Sequence, residues 1–328
     1  MKTIVIGAGV AGLACAVELA ERGASVEVLE RGTRLGDGCC SWYAGGMLAP
    51  WCERVSAPPL IAALGDEGFA WWSEKYPGMV RRGTLVLAQA RDSAELTNFA
   101  RRTERYEWVN ADEIAALEPD LAGRFERGLY FKDEGHIDPR AALAALAERV
   151  RARGGTISFQ TEWPAASVAG DVRVIDCTGL AARGVLTALR GVKGEMLHVQ
   201  AADLSLSRPI RLLHPRTPVY LVPHGAGHYM IGATMIESDQ PTRISARSML
   251  ELLGAAYALH PAFGEAQILE IGTGVRPAFP DNLPRLTRHG DALYVNGLYR
   301  HGYLAAPALA RRAAAFVLEG RTDPEVMH

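Results

Sequence analysis

The segment Gly7-Ala8-Gly9-Val10-Ala11-Gly12 constrains the fold of this chain more than any other feature. It follows a β-branched run, Thr3 to Ile6, of the kind that forms a buried parallel strand. It opens an alanine-rich stretch that reads as a helix to about Arg22, stopped by Gly23. Ser25 to Leu29 reads as a second strand, ending at Glu30. In such a unit the first glycine permits a tight turn, the second lets the backbone approach a pyrophosphate, and the third lets helix and strand pack closely. The helix N-terminus then presents unpaired amides and partial positive charge to phosphates. Glu30 stands where a ribose diol can donate to it. With 34 glycines in the chain the spacing alone is weak evidence. Strand, turn, helix, strand and terminal acid in the required order make it a dinucleotide site. A signal-peptide core behind Lys2 is the competing reading of Thr3 to Val17. The glycine spacing and the continuation of the helix through Glu18, Glu21 and Arg22 speak against it.

The 328 residues leave room for two domains. Near the middle, Asp138-Pro139 supplies an N-cap and a first-turn proline for a helix through Arg153. Gly154-Gly155 ends that helix, and strands follow at Thr156 to Gln160 and Arg173 to Cys177, leading into Thr178-Gly179. A third segment holds a strand from Ala292 to Asn296, a glycine-rich turn, and a helix starting near Ala305. Pro307 falls in the first turn of that helix, which runs to about Leu318. Between these segments lie short or alternating apolar runs, such as Thr84 to Ala88, Val219 to Val222 and Tyr229 to Ile231, with Gly225 and Gly227 marking a hairpin. The expected fold class is α/β: a doubly wound, Rossmann-like nucleotide domain carrying an inserted antiparallel-sheet substrate domain. The nucleotide domain is discontinuous, over residues 1–82, 138–190 and 273–328, and the insertion comprises 83–137 and 191–272.

Thirty-five basic residues nearly balance 37 acidic ones, so no electrostatic draw toward nucleic acid or an anionic membrane is expected. No uncharged run is long enough to span a bilayer. Five cysteines with no Cys-x-x-Cys pair argue against a disulfide framework and for a reducing compartment, by default the cytoplasm. His224 and His228 are separated by glycines in a turn, so no metal site is expected there. Cys39-Cys40 reads as two small residues near a cofactor in preference to a covalent flavin link or a vicinal disulfide. No Gly-x-Ser-x-Gly elbow supports a hydrolase.

Six further motifs narrow the reading: Ser41-Trp42-Tyr43-Ala44-Gly45-Gly46-Met47-Leu48-Ala49-Pro50, Gly135-His136-Ile137-Asp138-Pro139, Val192-Lys193-Gly194, Gly232-Ala233-Thr234-Met235, Gly274-Val275-Arg276-Pro277 and Arg300-His301-Gly302. In this order and spacing the chain resembles the D-amino acid oxidase family over nearly its whole length. Within that family it is most similar to the glycine oxidases of thiamine biosynthesis. The resemblance implies an FAD-binding domain of the GR2 type and non-covalent FAD. It assigns Gly7, Gly9, Val10, Ala11 and Gly12 to the phosphate turn, and Glu30 and Arg31 to the adenosine ribose. Cys40, Ser41, Gly45, Gly46 and Met47 would line the ribityl chain and flavin ring. Trp163 would meet the adenine through its backbone, and Thr178 and Gly179 would also touch the cofactor. Leu298, Tyr299, Arg300, His301, Gly302, Tyr303 and Leu304 would wrap the pyrimidine end. Arg276 and Arg300 match positions that hold substrate, and Tyr220 and Met235 match pocket positions. Four residues depart from the family pattern: Trp42 and Tyr43 in a longer flavin loop, Tyr303 for an aliphatic residue, and Glu195 for an amide. Each is expected to narrow the pocket or change its polarity.

Chemistry agrees with these assignments. An α-amino acid must be held with its Cα–H facing the flavin, and a guanidinium gripping the carboxylate bidentately fixes that geometry better than a lysine. Arg276 is the candidate, with the Tyr220 hydroxyl as a second donor; a structural ion pair is the alternative for Arg276. The positive end of the last helix would face the flavin's pyrimidine carbonyl. The reaction implied is oxidative deamination of glycine or another small amino acid or amine, with hydrogen peroxide formed on reoxidation by oxygen. The protein orients the substrate and no side chain serves as catalytic base. The alternatives are a dehydrogenase passing electrons to a carrier or quinone, a subunit binding FAD structurally, and an NAD-dependent dehydrogenase. Expected partners are the amino acid substrate and oxygen, with a homo-oligomer suggested by relatives.

Overall fold

The computed structural model of the chain describes residues 2–163, 172–214 and 218–327. The opening unit forms as its sequence dictates: strand Lys2–Ile6, helix Val10–Glu21, and strand Ser25–Leu29 parallel to the first. Gly7 adopts a left-handed φ of +97°, and a Cβ on Gly12 would lie 1.9 Å from the Gly7 carbonyl oxygen. Helix and turn therefore meet at a distance only glycine allows. The first strand lies inside a six-stranded sheet ordered Arg285–His289, Ala292–Asn296, Val172–Asp176, Lys2–Ile6, Ser25–Leu29, Thr156–Ser158. All its pairings are parallel except that of the edge hairpin Arg285–His289 with Ala292–Asn296. Val5, Val28 and Ile175 of this sheet share one core with Leu13, Trp71, Trp72, Leu143 and Leu309 of the helices around it. Asp138 caps helix Pro139–Ala152 by accepting from the amides of Arg140 at 2.8 Å and Ala141 at 3.2 Å.

The last helix departs from the sequence expectation. It spans Gly302–Glu319, starting before Ala305, so Pro307 stands inside it instead of in its first turn. Proline removes the amide that would serve the carbonyl four residues back, here that of Tyr303. The indole Nε1–H of Trp72 donates to that carbonyl at 2.7 Å and takes the place of the lost bond. Trp72 belongs to helix Pro59–Lys75, which comes so close that a Cβ on Gly68 would lie 1.9 Å from the Leu304 oxygen. A neighbouring helix thus permits an interior proline that local rules disfavour.

The second sheet has nine strands, ordered Ile236–Glu237, Arg190–Gln200, His228–Gly232, Val219–Pro223, Ile210–Leu213, Thr84–Ala88, Arg127–Phe131, Glu107–Asn110, with Gln267–Ala278 paired along the full length of Arg190–Gln200. The Gly225/Gly227 turn joins Val219–Pro223 to His228–Gly232 as a hairpin. The sheet is antiparallel except where Ile210–Leu213 runs parallel to Thr84–Ala88. Those strands come from stretches far apart in the chain, so no hairpin forces them antiparallel. Leu85, Leu197, Leu221 and Ile231 pack there beneath Leu252, Ala256 and Leu259 of helix Ala246–Leu259. Among the described residues no helix is long and apolar enough to cross a membrane.

Trp72→Phe leaves the Tyr303 carbonyl without a donor, and we expect a stability loss of about 1–3 kcal/mol in chemical denaturation. In a Pro307→Ala background the helix supplies its own amide, and the loss should shrink. An equal loss in both backgrounds would contradict this account of the proline.

Candidate active site

A cleft of about 1480 Å³ begins at the ends of the parallel strands, where Ile6, Glu30, Asp176 and Asn296 line it, and extends to the second sheet. At the phosphate turn, a Cβ on Gly9 would sit 3.1 Å from Cys39 Sγ and 3.4 Å from Ser41 Oγ, so a bare backbone faces the cleft. The amide of Val10 donates to Ser41 Oγ at 3.2 Å. Glu30 is held by the amides of Ala8 and Gly32, each at 2.8 Å, and its carboxylate keeps lone pairs for a diol. Ala11, Arg31, Trp163, Thr178 and Gly179 line the same stretch, and Asp176 steadies Thr178 by accepting from its amide and hydroxyl at 2.9 and 2.7 Å. Gly12 is not on the cleft wall; its part is the close packing of helix on turn.

Further along, the wall is formed on one side by Cys40, Ser41, Gly45, Gly46 and Met47. On the other run Leu298, Tyr299, Arg300, His301, Gly302, Tyr303 and Leu304. Gly46 takes φ +74°, and a Cβ there would lie 2.0 Å from the Ile137 oxygen. The first-turn amides of the last helix have no carbonyl four residues back to serve, and that turn contains no acid, although Glu53 Oε2 lies 3.8 Å from Nδ1 of the N-cap His301. Burial pushes the His301 imidazole down to about 4, so this N-cap residue is neutral at physiological pH. Bare backbone at Gly9, first-turn amides that no helix carbonyl serves at both helix starts, and the Glu30 carboxylate make a cradle of the kind a dinucleotide fills.

The far end is charged. Arg276 projects from strand Gln267–Ala278 opposite Val192, and Gly194 leaves it room: a Cβ there would lie 2.2 Å from Arg276 Nη2. Arg276 Nη1 donates to the Thr234 carbonyl at 3.1 Å, and among the described residues no carboxylate pairs with it. Burial, then the neighbouring Arg300, lowers its pKa to about 10, which still leaves it protonated. Arg300 is already neutralised, its Nη2 lying 3.2 Å from Glu53 Oε2. Arg211 Nη1 lies 3.7 Å from Glu53 Oε1, to which the Tyr220 hydroxyl also donates. Burial alone would raise the Glu53 carboxyl, but Arg300, Arg211, His301 and Tyr220 outweigh it and hold it at about 2. Met235 Sδ caps the group, 3.3 Å from Arg300 Nη1 and 3.5 Å from the Tyr299 hydroxyl.

A profile of the DAO family, described as FAD dependent oxidoreductase, matches residues 2–316. The chain belongs to this family. It is 54% identical, over 99% of both chains, to a putative thiamine biosynthesis oxidoreductase ThiO of Rhizobium etli. It is 28% identical to a glycine oxidase of Bacillus licheniformis, covering 96% of this chain and 92% of the relative. The crystal structure of glycine oxidase from Geobacillus kaustophilus superposes with a TM-score of 0.82 at 26% identity, covering 99% and 95% of the two chains.

This DAO-family chain is therefore an FAD-dependent oxidoreductase, and its cleft has the form that FAD requires. Apart from Gly12, every residue assigned to cofactor or substrate from sequence lines that one cleft. Four details differ from expectation. The Tyr220 hydroxyl is committed to Glu53 and is no second donor for substrate. Tyr303 directs its hydroxyl to the carbonyls of Ser41 and Pro139 at 3.1 and 3.0 Å, bracing the flavin loop instead of narrowing the pocket. Trp42 lies under the Arg140 guanidinium at 4.8 Å, while Tyr43 does line the cleft. Glu195 turns away from the cleft onto Lys193. Sequence reasoning missed Glu53 and Arg211. For Arg211 the signal was a lone charge in the apolar run Ile210 to Leu213; for Glu53 it was only its place at the end of the apolar run Met47 to Cys52, beside Arg54.

Behind the loop, Glu134 Oε1 accepts from the amides of Trp51 and Cys52 at 2.9 and 2.8 Å, yet burial pushes its carboxyl up to about 8. The folded protein therefore holds this proton more tightly than the unfolded chain. The stability it contributes is complete below the ordinary value of 4.5 and is lost as pH rises through about 8. Glu134→Gln should remove that loss, so its melting temperature should decline less than the parent's between pH 4.5 and 8. Parallel pH profiles would contradict the assignment.

Proposed function

We propose that this chain oxidises glycine and similarly small amino acids to the imine, with oxygen as final acceptor and hydrogen peroxide as product. Overall, the amine and its Cα–H lose two electrons and two protons to oxygen, and water then converts the imine to the 2-oxo acid and ammonia. The observation that carries this reading is Arg276, a buried cation on the cleft wall that no carboxylate among the described residues pairs with, beside an Arg300 that Glu53 already neutralises. A substrate carboxylate completes Arg276 as a bidentate partner. Gly194 gives the guanidinium its space, and the Tyr220 ring and Met235 confine what lies beyond the substrate's Cα. Guanidinium charge nearby favours the neutral amine, the form that can release hydride. Bound FAD supplies the two-electron acceptor. Phosphate contacts fall to the turn at Gly7, Gly9, Val10 and Ala11, and the ribose to Glu30.

The cofactor is bound without a covalent link on this reading. Burial pushes the Cys40 thiol up to about 12 and also raises Cys39, which leaves neither as a ready nucleophile. The substrate domain is the second sheet, residues 83–137 and 191–272 extended to Ala278, because strand Gln267–Ala278 pairs with Arg190–Gln200 throughout and carries Arg276. Relatives named glycine oxidase favour oxygen over a carrier as acceptor. The likeness to an L-proline dehydrogenase at 18% identity concerns the fold alone. The resemblance to a thiamine biosynthesis oxidoreductase supports a use of the imine product in making the thiamine thiazole, and the cytoplasm is the compartment this reading takes. A homo-oligomer is part of the same proposal, with Ile268, Leu269 and Ile271 exposed on strand Gln267–Ala278 as the packing surface.

Arg276→Lys should lower kcat/KM for glycine by about 2–4 kcal/mol, since a two-point grip becomes a point charge, while FAD binding stays intact. Unchanged kinetics would make Arg276 a structural residue. In flavin reduction without oxygen, glycine, sarcosine and D-alanine should outpace L-alanine and bulky D-amino acids. A displacement of about 1 Å at Cα costs roughly a hundredfold in rate. Fast reduction by L-alanine would defeat the proposed pocket geometry.

A further inference from the structure

We infer that Glu195 and Thr234 are positioning residues that aim Arg276 from the side of the sheet facing away from the cleft. The inference rests on Arg276 being the carboxylate grip. In strand Arg190–Gln200 successive side chains alternate faces. Gly194 faces the cleft and makes room for the guanidinium, so Lys193 and Glu195 face the other way. Both are buried, Lys193 4% and Glu195 0% exposed. Lys193 Nζ donates to Glu195 Oε1 at 2.6 Å, to Thr242 Oγ1 at 2.9 Å and to the Arg243 carbonyl at 3.0 Å.

The other side of Glu195 is given to Thr234. The Glu195 amide donates to Thr234 Oγ1 at 2.9 Å, that hydroxyl donates to Glu195 Oε2 at 3.1 Å, and the Thr234 amide donates to the Glu195 carbonyl at 3.2 Å. Thr234 lies in the gap between strands His228–Gly232 and Ile236–Glu237, where no β-ladder fixes the backbone. Its carbonyl is the acceptor for Arg276 Nη1 at 3.1 Å. The direction of the guanidinium thus depends on one carbonyl, and that carbonyl depends on the bonds to Glu195. A bidentate grip tolerates little rotation, so loosening Thr234 weakens carboxylate binding before it affects anything else. A Lys193–Glu195 pair that merely tied the strand to Thr242 and Arg243 would leave carboxylate affinity untouched.

The test uses the FAD-loaded protein with acetate as a non-reacting probe, titrated through the flavin spectrum, alongside glycine kinetics without oxygen. Thr234→Val keeps the side-chain volume and the carbonyl but removes the hydroxyl. It should raise the acetate Kd and the glycine KM at least tenfold, with the limiting rate of flavin reduction within about twofold of the parent. Thr234→Ser should restore both affinities, and Glu195→Gln should weaken them in the same direction. If Thr234→Val binds acetate like the parent while Arg276→Lys does not, the positioning role is wrong and the grip stands. If Arg276→Lys also binds acetate normally, the grip itself is wrong. Loss of flavin or of the limiting rate in step with affinity in Thr234→Val would show a structural role and overturn the inference.

Discussion

A buried guanidinium needs an anion, and the charged end of this cleft gives the Glu53 carboxylate to Arg300 and Arg211, while among the described residues Arg276 receives none. Leaving a cation in a low-dielectric site without a partner is unfavourable unless a ligand completes it. The surrounding structure accommodates that condition. Gly194 clears the space, the Thr234 carbonyl takes one N–H, and Glu53 occupies the adjacent Arg300. Electrostatics here separates two arginines that look alike in sequence: Arg300 is paired within the protein, and Arg276 is the one proposed to meet the substrate.

The fold brings this charged end to the cofactor through two continuous strands. Arg190–Gln200 and Gln267–Ala278 belong to the larger sheet, and at one end they reach the cleft that starts at the parallel sheet. Gly274, opposite Gly194, packs on Cys40 of the flavin loop, where a Cβ would come within 3.2 Å. The loop is braced again by the Tyr303 hydroxyl on Ser41. Pocket and cofactor cradle are thus held in fixed relation by backbone contacts that side chains larger than hydrogen would push apart.

Much of this was legible in the sequence because it is local. The glycine turn with Glu30, the Asp138-Pro139 cap and the Gly225/Gly227 hairpin each follow from neighbours within a few residues, and each forms as read. What was not legible depends on partners distant in the chain. Pro307 inside a helix requires Trp72, whose indole serves the Tyr303 carbonyl from 231 positions earlier in the chain. The parallel pairing of Ile210–Leu213 with Thr84–Ala88 requires knowing which edges meet. Glu53 gains its role only when Arg300, Arg211 and Tyr220 converge on it, and Tyr220 loses the role expected of it for the same reason. Glu195, read as a change in pocket polarity, faces the opposite side of its strand, and only the pairing register reveals that.

The central claim is that Arg276, and not Arg300, receives the substrate carboxylate. A crystal structure of the FAD-loaded protein with acetate tests it most directly. The account predicts acetate bound bidentately on the Arg276 guanidinium, with the Arg300–Glu53 pair intact. Acetate seated on Arg300 with Glu53 displaced, or no carboxylate density at Arg276 under saturating acetate, would contradict it.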